Sequence, residues 1–475
     1  GSVQAANGVQ VRNELTSLAE PTALGFVAGA ISVGGNALLA FNRSDAVAAI
    51  YRHNVQANGD ITVEGRIVDA LATADLYRAS AGAIAVGVSV AYAQMRASNA
   101  AWIDATGATV SAGGNLYVYA GRENERSNAV AQATTMSGNV GAISAAANVA
   151  IADNDALNEA RILGTGSVSA QNDMLVEAWL TTATPAKLYG LDAGAITVGV
   201  GTIVSLNRSR NHAIVQDVSV RAASVRVRAQ VDPREGANIA EVELLHGAGA
   251  AIGVGVNVAA AYARVENTAV MAAKSAEIGG ALRVLSEGVN NAASTIRNLN
   301  VSGVAVGVMT GYAYAQGAFE ARMSLPAGAA VRAASIEVLS DALARAVTLV
   351  EPSLGGVSLN AVGVRVNIGI ANVSTTTNAL MERAGSGELP SITSGGEMRV
   401  RALVNADADA RVTTAGLSFG GVAIAVNVAS ANQHGTQLAK VEGVKATAPS
   451  MLVEALVNQE ADGKGAHSIV GAAGG

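Results

Sequence analysis

Cysteine is absent from all 475 residues. Its absence excludes a disulfide scaffold and any thiolate metal site, and it suits a long exported chain that must not cross-link in an oxidising compartment. Aromatic residues make up only 3% of the chain, with two Trp and four Phe, too few to furnish the girdles that a transmembrane barrel sets at both membrane surfaces. Lysine occurs five times, and 31 basic residues against 37 acidic ones leave a formal net charge of −6. Such a balance offers no basic face for nucleic acid and no polybasic anchor for lipid. The GGxGxDxUx nonapeptide is missing as well, which excludes the calcium-loaded β-roll of the RTX type. No signal peptide is present, and the opening Gly1-Ser2 looks like a cloning remnant. The reading therefore expects a piece of a longer polypeptide.

What the chain has in abundance is one phrase written eight times. The copy GAIAVGVSVAYA (Gly82–Ala93) alternates β-branched with tiny side chains, and the Gly or Ala at its centre recurs as Gly34, Gly87, Ala146, Gly199, Gly255, Gly307, Gly363 and Ala423. The steps are 53, 59, 53, 56, 52, 56 and 60 residues. Self-similarity of this kind outranks any local motif in deciding a fold. Period two means strand. For the same reason the uncharged runs Gly247–Ala263 and Ser302–Phe319, which approach the length of a membrane-spanning helix, read as strands.

Each copy carries three elements at fixed offsets. In the first phrase the large positions are Ile84, Val86, Val88 and Val90, and the positions between them are Ala85, Gly87, Ser89 and Ala91. A water-facing strand side would hold Lys, Glu and Thr, so this pattern predicts a strand buried on both faces. The second element is V-x-A, a short turn, then an apolar residue, x, Val, x, Ala, as in Val168, Ala170, Met174, Val176 and Ala178. Its alternate positions hold charge, including Glu64, Glu177, Arg226, Arg228, Arg283, Glu337, Arg399, Arg401 and Glu454, which marks a half-buried outer strand. Between the two lies N-x-A-x-(I/V/M), seen at Asn99, Asn158, Asn211 and Asn267, each 15 residues after the Ile that opens its copy. These asparagines are expected to stack as an amide ladder at a corner.

The fold expected from this is all-β: a β-solenoid, or β-helix-like array, of about eight repeats of about 55 residues. One wide coil per repeat, with the first phrase folded into the middle as an internal doubly buried strand, is the favoured layout. The boundaries are 1–28 for the end of a preceding repeat, then 29–81, 82–140, 141–193, 194–249, 250–301, 302–357, 358–417 and 418–475, all in one continuous solenoid. No polar capping repeat appears at either end, so the natural array is expected to run on in both directions.

Nothing in the chain reads as a reaction centre. The five histidines, His53, His212, His246, His434 and His467, share no position in the repeat, and each reads as a loop or surface residue. Asp153-Asn154-Asp155 starts like a calcium loop but lacks the Gly and distal Glu at their places. The Gly-rich stretch Gly253–Gly255 is strand-internal and precedes no helix, so it is no phosphate cradle. Trp102 and Trp179 read as packed near corners rather than as sugar platforms, and the irregular outward Arg and Glu as a solvated mixed-charge face. The sequence reading thus names no catalytic, cofactor-binding or metal-binding residue and no cofactor.

The run GAGAAIGVGVNVAAAYARVENTAVMAAKSAEIGGALRVLSEG (Gly247–Gly288) resembles the repeats of the leukotoxin-type filamentous adhesins, and so does SAGAIAVGVSVAYAQMRASNAAWIDATGATVSAGGNLYVYA (Ser80–Ala120). The likeness covers nearly the whole chain, although it departs in being Arg-rich and Lys-poor. It implies an exported β-helical passenger, giant and autotransporter-like, on a bacterial cell surface. No catalytic residue is implied, because such repeats define none. The expected function is a non-catalytic stalk or shaft of a secreted adhesin, with host or bacterial receptors engaged by other parts of the parent protein. Two alternatives stand beside it: a β-helical polysaccharide-active enzyme, and a self-assembling extracellular fibre whose uncapped ends associate.

Overall fold

Successive copies of the phrase lie side by side in the computed structural model, which describes residues 1–232, 238–352, 357–418, 422–457 and 466–474. Strands dominate, and no helix occurs among the described residues; none is therefore long and apolar enough to cross a membrane. Every pairing between the described strands is parallel. The strand Ile84–Asp104 lies between Ile31–Tyr51 and Ile143–Leu163, each residue opposite its equivalent. The architecture of stacked parallel strands fits a β-solenoid, as expected.

Register tests the alignment read from the sequence. Gly34 sits opposite Gly87, Gly87 opposite Ala146, and the ladder continues through Gly199, Gly255 and Gly307. At the seventh copy the expectation is off by two residues: Gly307 meets Arg365, and Gly363 meets Ala305. A two-residue shift leaves every side chain on its own face of the sheet, so alternation alone cannot detect it.

Within a copy the chain runs out and back. An outbound limb, Ile61–Ala81, lies against the return limb Ile84–Asp104, and the two meet in a tight turn at Gly82-Ala83. Turns of adjacent copies stack closely, with the Gly82 N–H donating to the Val140 carbonyl at 3.0 Å. A Cβ on Gly82, Gly141 or Gly194 would run into the carbonyl oxygen of Gly29, Gly82 or Gly141 respectively. Glycine is needed there for space. At the opposite, near end, short strands such as Thr109–Ala112 close each copy, and nine of them form a separate parallel sheet from Ser2–Ala5 to Lys445–Thr447.

Two cores result. The near core stacks Ile103, Val110, Leu116 and Val118 on Ile162, Val168, Met174 and Val176, all fully or almost fully buried. The far core, between the limbs, is mostly alanine, with Ala70, Ala72 and Ala74 in the same cluster as Ala91, Ala93 and Met95. Small side chains let two sheet layers approach closely, whereas bulky ones hold them about 10 Å apart.

The expected asparagine ladder is present but not at a corner. Asn99, Asn158, Asn211 and Asn267 lie inside long strands, each fully buried, and the Nδ2 of each donates to the Oδ1 of the next at 2.7, 2.8 and 2.9 Å. The same amides donate across to the carbonyls of Gly65, Ala120, Ala178 and Ala229 on the outbound side. There the outbound limbs bend, with Gly121 and Gly288 at positive φ and a register slip between Leu15 and Thr16. Carbonyls turned inward at a bend need donors, and the ladder supplies them. It forms a polar seam dividing the two cores.

The doubly buried strand is overturned. In the return limbs Ala85, Gly87, Ser89 and Ala91 point inward, while Ile84, Val86, Val88 and Val90 point outward and are half-buried or exposed. Between these limbs the inward positions of the return limb are mostly small, and the space is shared with longer side chains from the opposite limb, so the valines of this limb lie outside.

Candidate interaction surface

The far arm is apolar on its outside. Val88, Ile143, Ile196, Val198, Val200, Ile252, Val254, Val256, Val304, Val306, Val362 and Val364 are 36% to 46% exposed. At the first copy Ile31 and Val33 reach 68%. Five outward ladders, beginning at Ile84, Val86, Val88, Val90 and Tyr92, make up this face, and no charged residue occupies any of them. Two ladders further on, Arg96, Asp155, Arg208 and Arg264 stand in one row and end it. The outer side of the outbound limbs is less regular. There Met136, Tyr189, Leu191, Leu245 and Leu299 line a groove of about 630 Å³. The Tyr189 hydroxyl donates to Glu243 at 3.1 Å, and burial, helped by that carboxylate, pushes its pKa up to about 12.

Polar groups fill the inside of the same arm. The Ser80 hydroxyl donates to Asn139 Oδ1, Asn139 Nδ2 donates to Asp192 Oδ1 at 2.8 Å, and His246 Nε2 lies 3.0 Å from Asp192 Oδ2. Arg78 Nη2 donates to the Val86 carbonyl at 2.9 Å. Burial pulls the Arg78 pKa below its ordinary value, although Asp192 acts in the other direction. All five side chains are buried. A Cβ on Gly87 would occupy the place of the Arg78 guanidinium, and one on Gly199 would meet the His246 ring. Gly87 and Gly199 therefore make room for polar side chains reaching across from the other limb. This arrangement ties the limbs together; a buried His–Asp pair becomes a general base only beside a nucleophile or substrate proton. His246 Nδ1 has no hydrogen-bond partner among the described residues.

The remaining histidines are scattered. His53 lies exposed between strands, His212 is half-buried beside Glu159 at 3.3 Å, and His434 is exposed on a strand. His467 falls on the strand Ala466–Gly474, and its side chain lies outside the described residues. The expectation of loop or surface positions thus fails for His246, which is buried inside the arm, whereas His212 lies on the outward side of its strand. Asp153-Asn154-Asp155 is likewise strand, not loop: Arg208 and Arg210 pair with the two carboxylates at 2.6 and 3.2 Å, and Asn154 donates inward to the Ala129 carbonyl. No cluster of metal-ligating side chains occurs among the described residues.

At the near end the expected mixed-charge face takes the form of ion pairs running from copy to copy. Arg226 meets Glu177 at 2.5 Å, Arg228 meets Glu287 at 2.8 Å and Arg401 meets Glu454 at 2.9 Å. Glu64 and Glu177 are buried beneath their arginines rather than solvated. Trp179 is buried between the guanidinium groups of Arg126 and Arg228, 5.4 and 4.6 Å from its ring centre. Trp102 sits edge-on to Tyr51. A shallow polar groove of about 870 Å³ crosses the short sheet, lined by Ser111, Ser169, Gln171, Arg221, Glu277 and Arg332 among others.

Comparisons with protein-family models, with curated proteins and with solved structures return no match. The surface must be read from its own chemistry. Sequence reasoning found the valine ladders but buried both faces of their strand, and it missed the Arg78–Asn139–Asp192–His246 column. A signal existed: these four polar residues lie on outbound limbs, in short segments rich in Ala, Gly and Leu.

Proposed function

We propose that this chain is a non-catalytic structural segment, a shaft or wall of a large secreted surface protein, in which each repeat of about 55 residues makes one wide coil and about eight coils stack. The observation that supports it is the registered stacking of like on like, from Gly34 through Gly307, with each strand pairing only with its counterparts in neighbouring copies. Such a body is extended by adding copies and needs no reaction centre. At about 3.3 Å per residue a 21-residue limb spans roughly 70 Å, while each strand adds only about 4.8 Å of height. The segment is accordingly a plank wider than it is tall, and its design favours breadth and stiffness over reach. The resemblance to filamentous adhesin repeats accords with an extracellular place on a bacterial surface, where receptors would be engaged by other parts of the parent protein.

Small-angle scattering and negative-stain microscopy test this directly, by comparing the chain with a version carrying two further copies of residues 194–301. The expected result is an unchanged cross-section and a height greater by roughly 19 Å. An isotropic particle, or one that grows in all directions, would overturn the reading. Product release from pectin, alginate or glycosaminoglycans would put the polysaccharide-active alternative in its place.

A further inference from the structure

We infer that the charge-free outer face of the return limbs packs against the same face of a second copy of this chain. With five outward ladders and eight strands, the face measures on the order of 27 Å by 38 Å, roughly 1,000 Å². The largest apolar patch on an ordinary monomer is about 300–600 Å², and a standard interface takes about 800 Å² from each partner. Size alone marks this face as one that is covered.

Three features choose a second copy over an unlike partner. The face contains no charge that could select a complementary surface, since the outward positions from Ile84 to Tyr92 and their equivalents are uncharged throughout. Its valines repeat at the strand spacing along the whole stack, and a surface with that same spacing matches it most simply. Finally, β-branched side chains on a flat sheet are what two sheets interdigitate when they pack face to face. The row of Arg96, Asp155, Arg208 and Arg264 supplies a rim of both signs, the usual border of an apolar interface. The pairing is lateral, face to face, and does not depend on the shaft reading.

Sedimentation of the full chain across a dilution series, at 0.15 M salt, tests the inference. The expected result is a monomer–dimer equilibrium that Val254→Arg weakens at least tenfold, while the far-ultraviolet spectrum and melting of the diluted monomer stay unchanged. Because the chain has no cysteine, Val254→Cys offers a second measurement that introduces no charge. Mild oxidation should cross-link that variant as a dimer, whereas Arg332→Cys on the short sheet should not cross-link. A chain that stays monomeric at 100 μM would overturn the inference. So would growth into long polymers unaffected by Val254→Arg, which would assign association to the ends of the stack. Flotation of a monomeric chain with phosphatidylcholine–phosphatidylglycerol vesicles, abolished by Val254→Arg, would assign the face to lipid instead.

Discussion

The near and far ends of each copy use the same alternation to opposite effect. At the near end Val118, Val176, Val227 and Val284 point inward and are completely buried, with Tyr, Glu and Arg outside. At the far arm Val88, Val198 and Val254 point outward, and Ser89, Thr197 and Asn257 are the buried ones. The difference lies in the width of the space enclosed. Where the short strand holds the limbs apart, the interior needs volume. Where the limbs close on a two-residue turn, the return limb places mostly small residues between them, and longer side chains such as Arg78 and His246 reach into the space over Gly87 and Gly199. Alternation guarantees two unlike faces; enclosed width decides which is inside.

The sharpest way to break this comparison is to place one charge at each end. Val176→Asp buries an unpaired carboxylate in the near core and should cost about 4 kcal/mol or more, whereas Val200→Asp in the far arm should stay within about 0.5 kcal/mol in dilute monomer. Urea midpoints for the two variants measure it, and equal losses would mean that the far face is covered within one chain. Next in size is Asp192→Ala, which strands His246 and Asn139 inside the far arm and should cost about 3 kcal/mol. Asp192→Asn keeps one acceptor and should lose less than half of that.

The seam between the regions is probed by Asn158→Leu. This change removes the acceptor for Asn99 and the donors to Asn211 and to the Ala120 carbonyl, and should cost about 2 kcal/mol. Hydrogen exchange should quicken beside the seam while the near core stays protected. The smallest effect expected is a pH dependence at Glu159. Burial raises its pKa, but the hydrogen bond from His212 and the charges of Arg161 and His212 outweigh that and hold it below the ordinary value. Its folded pKa being depressed, the contribution is whole above the unfolded value and disappears as pH falls through the folded one. Glu159→Gln should therefore lower stability slightly near pH 7, leave it unchanged at the acid end, and so flatten the acid limb of a stability–pH curve.

Much of the fold was legible because stacking forces like residues to repeat. The spacing of Asn99, Asn158, Asn211 and Asn267 foretold the amide ladder, and the V-x-A strands foretold the near core. Placement within the copy was not legible: the ladder reads as a corner because Asn favours turns, yet it serves a bend in the strand opposite. The two-residue offset at Arg365 escaped notice because Val-x-Val looks the same after such a shift. Of the far arm's polar column, each member stands once in a single copy, so a reading built on what recurs passes over Asp192 and His246.

By itself the sequence determined that the chain is mostly strand, that its copies stack, and, through the sixth copy, which positions form ladders, since period and repeat length are properties of the chain alone. Only the tertiary structure decided which ladder faces in. That choice depends on the distance between limbs separated by a turn, and on polar groups such as His246 reaching over Gly199 from the opposite layer. No local pattern encodes that distance. The valines were legible, but their exposure was not.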